Sequence, residues 1–309
     1  MRGYDIFSGS ASETLALQVA KYLSCPLSDA GIKHFSDGEI CVQINHSVRG
    51  KDTFIIQSTC SPCNDNLMEL LILSDALRRS SANSITAIIP YFGYARQDRK
   101  AAPRVPITAK LVADLIQASG IDRVATIDLH AGQIQGFFNI PVDNLYGSII
   151  FKDYLRGLNL NDPIIASPDI GGIARARSMA KDFDLDIVIV DKRREKSNES
   201  EVMNIIGEVK GKDVVIVDDM IDTAGTIVKA AKSFKEAGAA TVIACCTHPV
   251  LSGKAYERLD EPWLDQLVIT DSIPLKKQHS KIKILSVAPL FGEVIRRVYH
   301  NESVHYLFT

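Results

Sequence analysis

Short runs of apolar residues alternate along the chain with segments in which apolar positions recur at helical spacing. This alternation continues from end to end and predicts an α/β fold with mainly parallel sheets. In the first half, Ser10 with Glu13 and Asn66 with Glu69 have the spacing of capping boxes, which mark helix starts. Strands are expected there at 4–7, 40–44, 53–57, 85–90 and 124–128, and helices at 13–23, 67–79 and 108–118.

The second half repeats the order of elements, although identity between the halves is not evident. We therefore expect two domains of roughly 150 residues each, 1–146 and 147–309, with the last helix able to pack back on the first domain. Strands are expected at 164–167, 186–191, 214–218, 241–247, 266–270 and 282–287, and helices at 173–182, 227–237 and 290–299. Loops are expected at 97–106, 192–199 and 272–280, and the first two are charged, which suits segments that close on a polyanion.

Composition narrows the class of protein. The formal net charge of -2 and the 23% of charged residues give no general attraction to nucleic acid. The chain opens without an apolar leader, and no stretch approaches the ~18 apolar residues of a membrane span, so a cytoplasmic enzyme is expected. Zinc at Cys60 and Cys63 would need a second ligand pair, which the adjacent Cys245 and Cys246 do not supply, because neighbouring strand residues face opposite sides.

Residues 214–226 carry the clearest chemistry. An apolar run predicts a strand buried on both faces, and the residues from 227 onward predict a covering helix. The loop between them lies at the carboxyl end of a strand, where open α/β sheets bind ligands. Its residues are Asp218, Asp219, Asp222, Thr223, Ala224, Gly225 and Thr226.

The loop combines two kinds of binding group. Backbone N–H groups and two threonine hydroxyls at the start of a helix form an anion site that needs no cationic side chain. The carboxylates accept hydrogen bonds from a vicinal diol and can help to hold Mg²⁺. A ligand with a phosphate at one end and a diol at the other fits both halves. The simpler alternative is an acidic turn in which Thr223 caps a surface helix.

This loop resembles the phosphoribosyl-binding motif that type I phosphoribosyltransferases share with ribose-phosphate pyrophosphokinases. Further segments resemble the second family alone, and together they span almost the whole chain. They are Phe35-Ser-Asp-Gly-Glu39, Tyr94-Ala-Arg-Gln-Asp-Arg-Lys100, the segment 128–138, Ser167-Pro-Asp-Ile-Gly-Gly172, and the stretches 64–71 and 244–253. No Walker-type phosphate loop is present in the sequence, so an ATP site is implied only by the resemblance.

The resemblance implies two similar doubly wound domains of the phosphoribosyltransferase type, each with a mainly parallel sheet flanked by helices. It also implies a reaction in nucleotide biosynthesis in which the diphosphoryl group of MgATP moves to the C1 hydroxyl of ribose 5-phosphate. Phe35, Asp37 and Glu39 would contact adenine from a neighbouring subunit. The ring of Phe35 can stack on a base, and the carboxylates of Asp37 and Glu39 can accept hydrogen bonds from an exocyclic amine. Arg96 and Gln97 would hold ATP, whose phosphates suit a guanidinium fork.

For the metal, the resemblance implies that His130 and Asp169 ligate the Mg²⁺ on the ATP phosphates. Magnesium prefers oxygen ligands, so the aspartate is the stronger of the two assignments. Lys192 and Arg194 match basic residues of a loop that closes over the transferring group. Without the resemblance, Phe35–Glu39 would be a plain turn, His130 a core histidine, and the basic residues solvated charges.

Regulation and assembly are also implied only by the resemblance: activation by phosphate, inhibition by ADP, and a hexamer built from dimers. The matching effector residues are Ser47, Arg49, Arg104 and Ser303. Ala102, Pro103 and His305 depart from the usual pattern at this place. Two other functions stay open: a phosphoribosyltransferase that acts on a base, and a non-catalytic regulatory paralogue, against which the intact acidic loop argues.

Overall fold

The computed structural model describes residues 3–193 and 202–307, and the chain divides into two compact units. The first unit consists of Met1–Tyr146, Ser272–Pro274 and Ser286–Thr309. The second consists of Gly147–Asp271 and Leu275–Leu285. The last helix of the chain is therefore counted with the first unit rather than with the residues that precede it.

The first unit is built on a parallel sheet and a separate antiparallel hairpin. Its elements are β1 (Tyr4–Ser8), α1 (Glu13–Tyr22), β2 (Ala30–His34), β3 (Ile40–Ile44), β4 (Asp52–Ile56), α2 (Cys63–Arg79), β5 (Ser84–Ile89), α3 (Thr108–Ala118), β6 (Arg123–Ile127), β7 (Val142–Leu145) and α8 (Ala288–Tyr299). The sheet has the order β1-β4-β5-β6-β7, with all pairs parallel, and β2 pairs with β3.

Apolar side chains on one face of this sheet pack against α2 and α3. Ile55 and Ala87 on the strands, with Leu70 and Leu73 on α2, are fully buried in one cluster. Leu70, Leu73 and Leu77 recur at helical spacing, which gives α2 a continuous apolar stripe for this contact. α1 packs against α8.

The second unit contains a larger sheet. Its elements are α4 (Ser148–Arg156), β8 (Ile164–Ser167), α5 (Ile173–Lys181), β9 (Ile187–Arg193), β10 (Val202–Ile206), β11 (Asp213–Ile221), α6 (Gly225–Glu236), β12 (Thr241–Pro249), α7 (Ala255–Leu259), β13 (Gln266–Thr270) and β14 (Ile282–Leu285). The order is β10-β9-β8-β11-β12-β13-β14, and β10 is the antiparallel strand among the described pairs.

β11 is covered on both faces, as its unbroken apolar run predicts. Val214 and Ile216 join the cluster that includes α6 and α7, whereas Val215 and Val217 join the cluster that includes α4 and α5. Cys245 and Cys246 divide between the same two clusters. Helices therefore flank this sheet on both sides, which confirms the predicted α/β class with parallel sheets between helices.

Most predicted elements occur in the structure with their ends displaced by a few residues. Five elements were not predicted from the sequence: β2, β7, β10, α4 and α7. β2 was not predicted because its residues are polar or only partly buried, so they show no apolar alternation. α7 has five residues, too few to establish a helical period.

Both predicted capping boxes are wrong. α2 begins one turn earlier than predicted, at Cys63, so Asn66 lies inside it and donates from Nδ2 to the carbonyl of Cys60 at 2.8 Å. Glu69 is buried and accepts a hydrogen bond of 2.6 Å from the backbone N–H of Ser10 and another from the Ser10 hydroxyl. The contact at Asn66 is local, whereas the contact between Ser10 and Glu69 joins residues that are distant in sequence.

Candidate active site

The strand order of the second unit reverses between β8 and β11. From β8 the chain moves to β9 on one side and then returns to β11 on the other. Such a reversal leaves a crevice beyond the carboxyl ends of the two strands, because their following connections diverge to opposite sides. β8 pairs with β11 only as far as Ala166 opposite Ile216, while β11 continues to Ile221. The last residues of β11 therefore have no β8 partner on that flank.

Asp218 and Asp219 lie on this unpaired part of β11. Asp219 is 4% exposed, and its backbone N–H donates to Oδ1 of Asp218 at 2.9 Å. Arg175, from α5, contacts both carboxylates: its Nη1 lies 3.5 Å from Oδ1 of Asp218 and 3.3 Å from Oδ1 of Asp219. Two neighbouring carboxylates thus share one guanidinium.

Ionisation of this pair is costly. Burial, together with the neighbouring charges of Asp219 and Asp169, raises the pKa of Asp218 to about 8 against the opposing effect of Arg175. A cation held by these oxygens would lower that cost and favour the ionised form of the pair. The donor set, all carboxylate oxygen, is the kind that Mg²⁺ prefers.

The loop after β11 turns sharply into α6. Ala224 has φ +60° and ψ 0°, the left-handed conformation, and α6 begins at Gly225. No side chain caps the helix, so the interpretation of Thr223 as an ordinary N-cap is wrong. The first N–H groups of a helix have no acceptor within their own helix. The loop therefore presents an uncapped helix start immediately after the acidic pair, which is the arrangement the sequence analysis required.

Asp222 is fixed beside this turn. The hydroxyl of Ser252 donates to its carboxylate, and the backbone N–H of Ser252 donates to its carbonyl at 3.0 Å. Thr223 and Thr226 are exposed, and with Gly225 they form one end of a groove of about 530 Å³ between α6 and α7. Lys229, Lys232, Arg258 and Glu261 line the rest of this groove together with Val228.

The residues predicted to contact adenine lie at the tip of the β2–β3 hairpin in the first unit. The backbone of Phe35 pairs with Glu39, whose carbonyl accepts at 2.8 Å, and Gly38 has φ +95°, which a side chain would disfavour. Asp37 accepts from the N–H of Glu39 at 3.1 Å. Phe35 is 57% exposed. Phenylalanine is usually buried, so this ring is available in solvent to stack on a ligand.

Arg96 and Gln97 follow β5, in a segment held firmly at both ends. The Gln97 N–H donates to the carbonyl of Tyr94 at 2.9 Å, and its side-chain oxygen accepts from the hydroxyl of Thr108 at 2.5 Å. Thr108 is the first residue of α3. Both predicted ATP residues are exposed, and they lie near the carboxyl end of a parallel strand.

The two predicted metal ligands belong to different units. His130 is exposed and follows β6 in the first unit. Asp169 is in the second unit, in the loop after β8, where Oδ1 accepts from the N–H of Gly172 at 3.1 Å. Among the described residues there is no group of three or more His, Cys, Asp or Glu side chains arranged to hold a metal ion.

The predicted basic loop lies partly outside the described residues. Lys192 is in β9, where its backbone pairs with Met203 of β10, so its placement in an irregular loop is corrected. Arg194 lies outside the part of the chain that the structure describes. The candidate effector residues Ser47, Arg49, Arg104 and Ser303 are all exposed and all belong to the first unit.

Three polar residues that contact the acidic loop were not predicted from the sequence. Arg175 contacts the aspartate pair, Ser252 contacts Asp222, and Arg258 donates to the carbonyl of Thr223 at 2.7 Å. No local pattern distinguishes Arg175 or Arg258, which contact the loop from α5 and α7. Ser252 lies in the stretch 244–253, whose resemblance to the family was a sequence signal for it.

Two α/β units, with an acidic pair and an uncapped helix start at a reversal of strand order, define a phosphoribosyltransferase-like enzyme. Comparisons with known proteins identify the family. The N-terminal domain of ribose phosphate pyrophosphokinase matches residues 4–120, and the phosphoribosyl synthetase-associated domain matches residues 192–309.

Comparisons with full-length relatives identify the same family. The chain is 77% identical to a ribose-phosphate pyrophosphokinase of Campylobacter jejuni over 308 residues and 67% identical to one of Helicobacter pylori over 309 residues. These alignments cover 100% of this chain and 100% and 97% of the relatives. A crystal structure of phosphoribosylpyrophosphate synthetase from Mycobacterium smegmatis matches 97% of this chain and 100% of its own, with a TM-score of 0.92 and 40% identity.

The chain belongs to the ribose-phosphate pyrophosphokinase family. The predicted family, fold class and type of enzyme are therefore confirmed. No helix in the described ranges is both long enough and apolar enough to cross a membrane.

Proposed function

We propose that this enzyme transfers the β,γ-diphosphoryl group of MgATP to the C1 hydroxyl of ribose 5-phosphate, giving 5-phosphoribosyl 1-diphosphate and AMP. The observation that carries this proposal is the end of β11. There, two carboxylates on the last part of the strand are followed by a short loop and an uncapped helix start, at the one reversal of strand order in the described part of the second sheet. Membership of the family supports the same reaction.

The loop would hold the acceptor sugar by its two ends. Thr223, Ala224, Gly225 and Thr226 would bind the 5-phosphate through backbone N–H groups and hydroxyls. Asp218, Asp219 and Asp222 would accept hydrogen bonds from the sugar hydroxyls. The fixed backbone at both ends of the loop would keep the C1 hydroxyl in a constant position, which is what alignment requires.

The nucleotide would be held by residues of the first unit. Phe35 offers an exposed ring for stacking on adenine, and Asp37 and Glu39 can accept from its exocyclic amine. Arg96 and Gln97 would bind the phosphates. The hairpin residues would act on the nucleotide of a neighbouring subunit, so the proposal includes a homo-oligomer, a hexamer built from dimers.

Magnesium fits the acidic side of the site. Mg²⁺ is commonly bound by one or two carboxylates together with substrate phosphates rather than by a complete protein cage, and Asp169 with His130 would be its protein ligands. Once bound, the ion would neutralise charge on the nucleotide phosphates. The raised pKa of Asp218 supports a cation near this loop, since burial and the neighbouring carboxylates make its ionised form costly.

In the transfer, the bond from the sugar O1 to the β phosphorus forms, the bond from that phosphorus to the α-phosphate oxygen breaks, and the hydroxyl proton is released. Transition states of this kind are loose and spread charge over the equatorial oxygens. Lys192 and Arg194 would stabilise that charge. The proposal also includes regulation: phosphate and ADP would bind near Ser47, Arg49, Arg104 and Ser303. A cytoplasmic location stays a prediction.

The test is product analysis. Purified protein, ATP, ribose 5-phosphate and MgCl₂, with no base present, should give AMP and 5-phosphoribosyl 1-diphosphate in equal amounts. Both products should disappear when ribose 5-phosphate is omitted or when Asp219 is replaced by Asn. Failure to form AMP would reject the proposal. Consumption of 5-phosphoribosyl 1-diphosphate only when a base is added would favour a phosphoribosyltransferase, and neither activity would favour a regulatory paralogue.

A further inference from the structure

The segment that follows β12 holds three successive carbonyl groups at the start of the acidic loop. The backbone N–H of Leu251 donates to the carbonyl of Ile221 at 3.0 Å, and that of Ser252 donates to the carbonyl of Asp222 at 3.0 Å. The third carbonyl, that of Thr223, accepts a hydrogen bond from a side chain: Nη1 of Arg258 donates to it at 2.7 Å.

These carbonyl contacts determine where the adjacent N–H groups point. In a planar trans peptide the C=O of one residue and the N–H of the next point in opposite directions. Fixing the carbonyls of Ile221, Asp222 and Thr223 on the segment 251–258 therefore turns the N–H groups of the following residues away from that segment. The Arg258 contact sets the peptide between Thr223 and Ala224, the one that leads into the left-handed residue at φ +60°.

Arg258 is well placed to act on this peptide. It lies on α7 and is partly buried on the wall of the groove between α6 and α7. A Cβ added at Gly225 would lie 3.1 Å from Nη1 of Arg258, so the guanidinium packs closely against the first residue of α6. A guanidinium donates in fixed directions because it is planar, and a hydrogen bond from a charged donor is stronger than a neutral one.

We propose that Arg258 is a positioning residue for the sugar-phosphate loop: by holding the Thr223 carbonyl it aims the N–H of Ala224 at the 5-phosphate. This inference rests on the proposed function, because it assigns the phosphate of ribose 5-phosphate to this loop. Arg258 acts through its hydrogen bond to the loop backbone and is not proposed as a ligand of the phosphate. Its loss therefore weakens binding of the sugar phosphate and leaves the binding of ATP unchanged.

The experiment compares Arg258→Met, Arg258→Lys and the matched control Lys254→Met. Lys254 is an exposed cation at the start of the same helix, and removing it leaves the bond from Arg258 to Thr223 in place. KM for ribose 5-phosphate and KM for ATP are measured for each variant from AMP formation. Thermal unfolding reports whether each variant keeps its fold.

For Arg258→Met we expect KM for ribose 5-phosphate to rise about 10- to 100-fold, because one hydrogen bond from a charged donor is lost. KM for ATP should stay within about twofold. Arg258→Lys, which keeps a charged donor, should recover most of the effect. Lys254→Met should match the wild type. An unchanged KM for ribose 5-phosphate in Arg258→Met would overturn the proposal, as would equal increases in both KM values with a lower melting temperature.

Calorimetric titration of ribose 5-phosphate, without nucleotide, separates this inference from the proposed function. If the wild-type protein forms no AMP but binds ribose 5-phosphate, and Arg258→Met weakens that binding, the reaction is wrong and the positioning role stands. If the wild-type protein neither forms AMP nor binds ribose 5-phosphate, both are wrong. If it binds and Arg258→Met binds equally well, only the positioning role is wrong.

Discussion

Arg175 and Asp219 form an ion pair at the end of β11, with 3.3 Å between Nη1 and Oδ1. The same nitrogen lies 3.5 Å from Oδ1 of Asp218. One guanidinium therefore faces two carboxylates, and Asp169 adds a third negative charge that acts on Asp218. Burial and these neighbouring charges raise the pKa of Asp218, at the place where the proposed substrates and metal would bind.

The first prediction concerns stability and pH. The folded-state pKa of Asp218 is raised to about 8 from its ordinary value of 3.8, so its contribution to stability is fully present below pH ~4 and is lost as the pH rises through 8. Replacing Asp218 by Asn should therefore raise the free energy of unfolding at pH 8–9 by roughly 1–3 kcal/mol and should have little effect near pH 4. Urea unfolding in EDTA at a series of pH values measures this.

The control for this prediction is Asp153→Asn, because the side chain of Asp153 is 81% exposed. It should leave the pH dependence of stability as it is in the wild type. Added Mg²⁺ should reduce the difference between the wild type and Asp218→Asn at high pH, since a cation lowers the cost of the ionised pair. Equal pH profiles for the wild type and Asp218→Asn would show that the pair carries no excess charge.

Sequence and structure agree where local pattern determines the element. The apolar run at 214–217 predicted a strand covered on both faces, and the helix Thr108–Ala118 and the strand Ile164–Ser167 have the predicted bounds. Prediction failed where the cause is distant in sequence. Glu69 meets Ser10 across 59 positions, and such a contact leaves no mark in the local pattern.

The same limit applies to the site. The residues of the loop 218–226 were identified because acidic and small residues directly follow an apolar strand there. Arg175 and Arg258 contact that loop from other helices, and nothing in their own neighbourhoods distinguishes them from surface cations. Only the tertiary structure brings their guanidinium groups to the carboxylates and carbonyls.

The second prediction concerns Gly93, which precedes the predicted ATP residues. A Cβ at this position would lie 2.3 Å from the carbonyl oxygen of Thr59, and its N–H donates to the hydroxyl of Thr59 at 2.7 Å. Because the obstacle is backbone, Gly93→Ala should cost about 1–3 kcal/mol of stability and should displace Arg96 and Gln97. We expect a lower melting temperature and a higher KM for ATP.

Gly132 provides the matched control in the same unit. No heavy atom lies within 4 Å of a Cβ built there, so Gly132→Ala should leave the melting temperature and KM for ATP nearly unchanged. If Gly93→Ala behaved like Gly132→Ala, the close approach to Thr59 would have no role in placing the segment that follows.

The third prediction concerns the hydroxyl of Thr226, the second residue of α6. Thr226→Val keeps the shape of the side chain and removes the donor that would meet the 5-phosphate. KM for ribose 5-phosphate should rise roughly 10- to 100-fold, since hydrogen bonds to charged groups contribute about 1.5–3 kcal/mol. Thr226→Ser, which keeps the hydroxyl, should stay close to the wild type, and KM for ATP should not change. A valine variant as good as the serine variant would place the phosphate elsewhere.

The fourth prediction separates chemistry from binding. Lys192 lies near the end of β9 with its backbone paired to Met203, so replacement by Ala should leave this ladder intact. If Lys192 stabilises the charge that develops on the transferring group, Lys192→Ala should lower kcat by ~10³-fold or more. The KM values for both substrates should change far less, because the interaction would be made mainly in the transition state. Lys181→Ala, an exposed lysine at the end of α5, serves as the control and should keep full activity. Initial rates with both substrates saturating provide the measurement, and turnover by Lys192→Ala equal to that of the control would remove Lys192 from the mechanism.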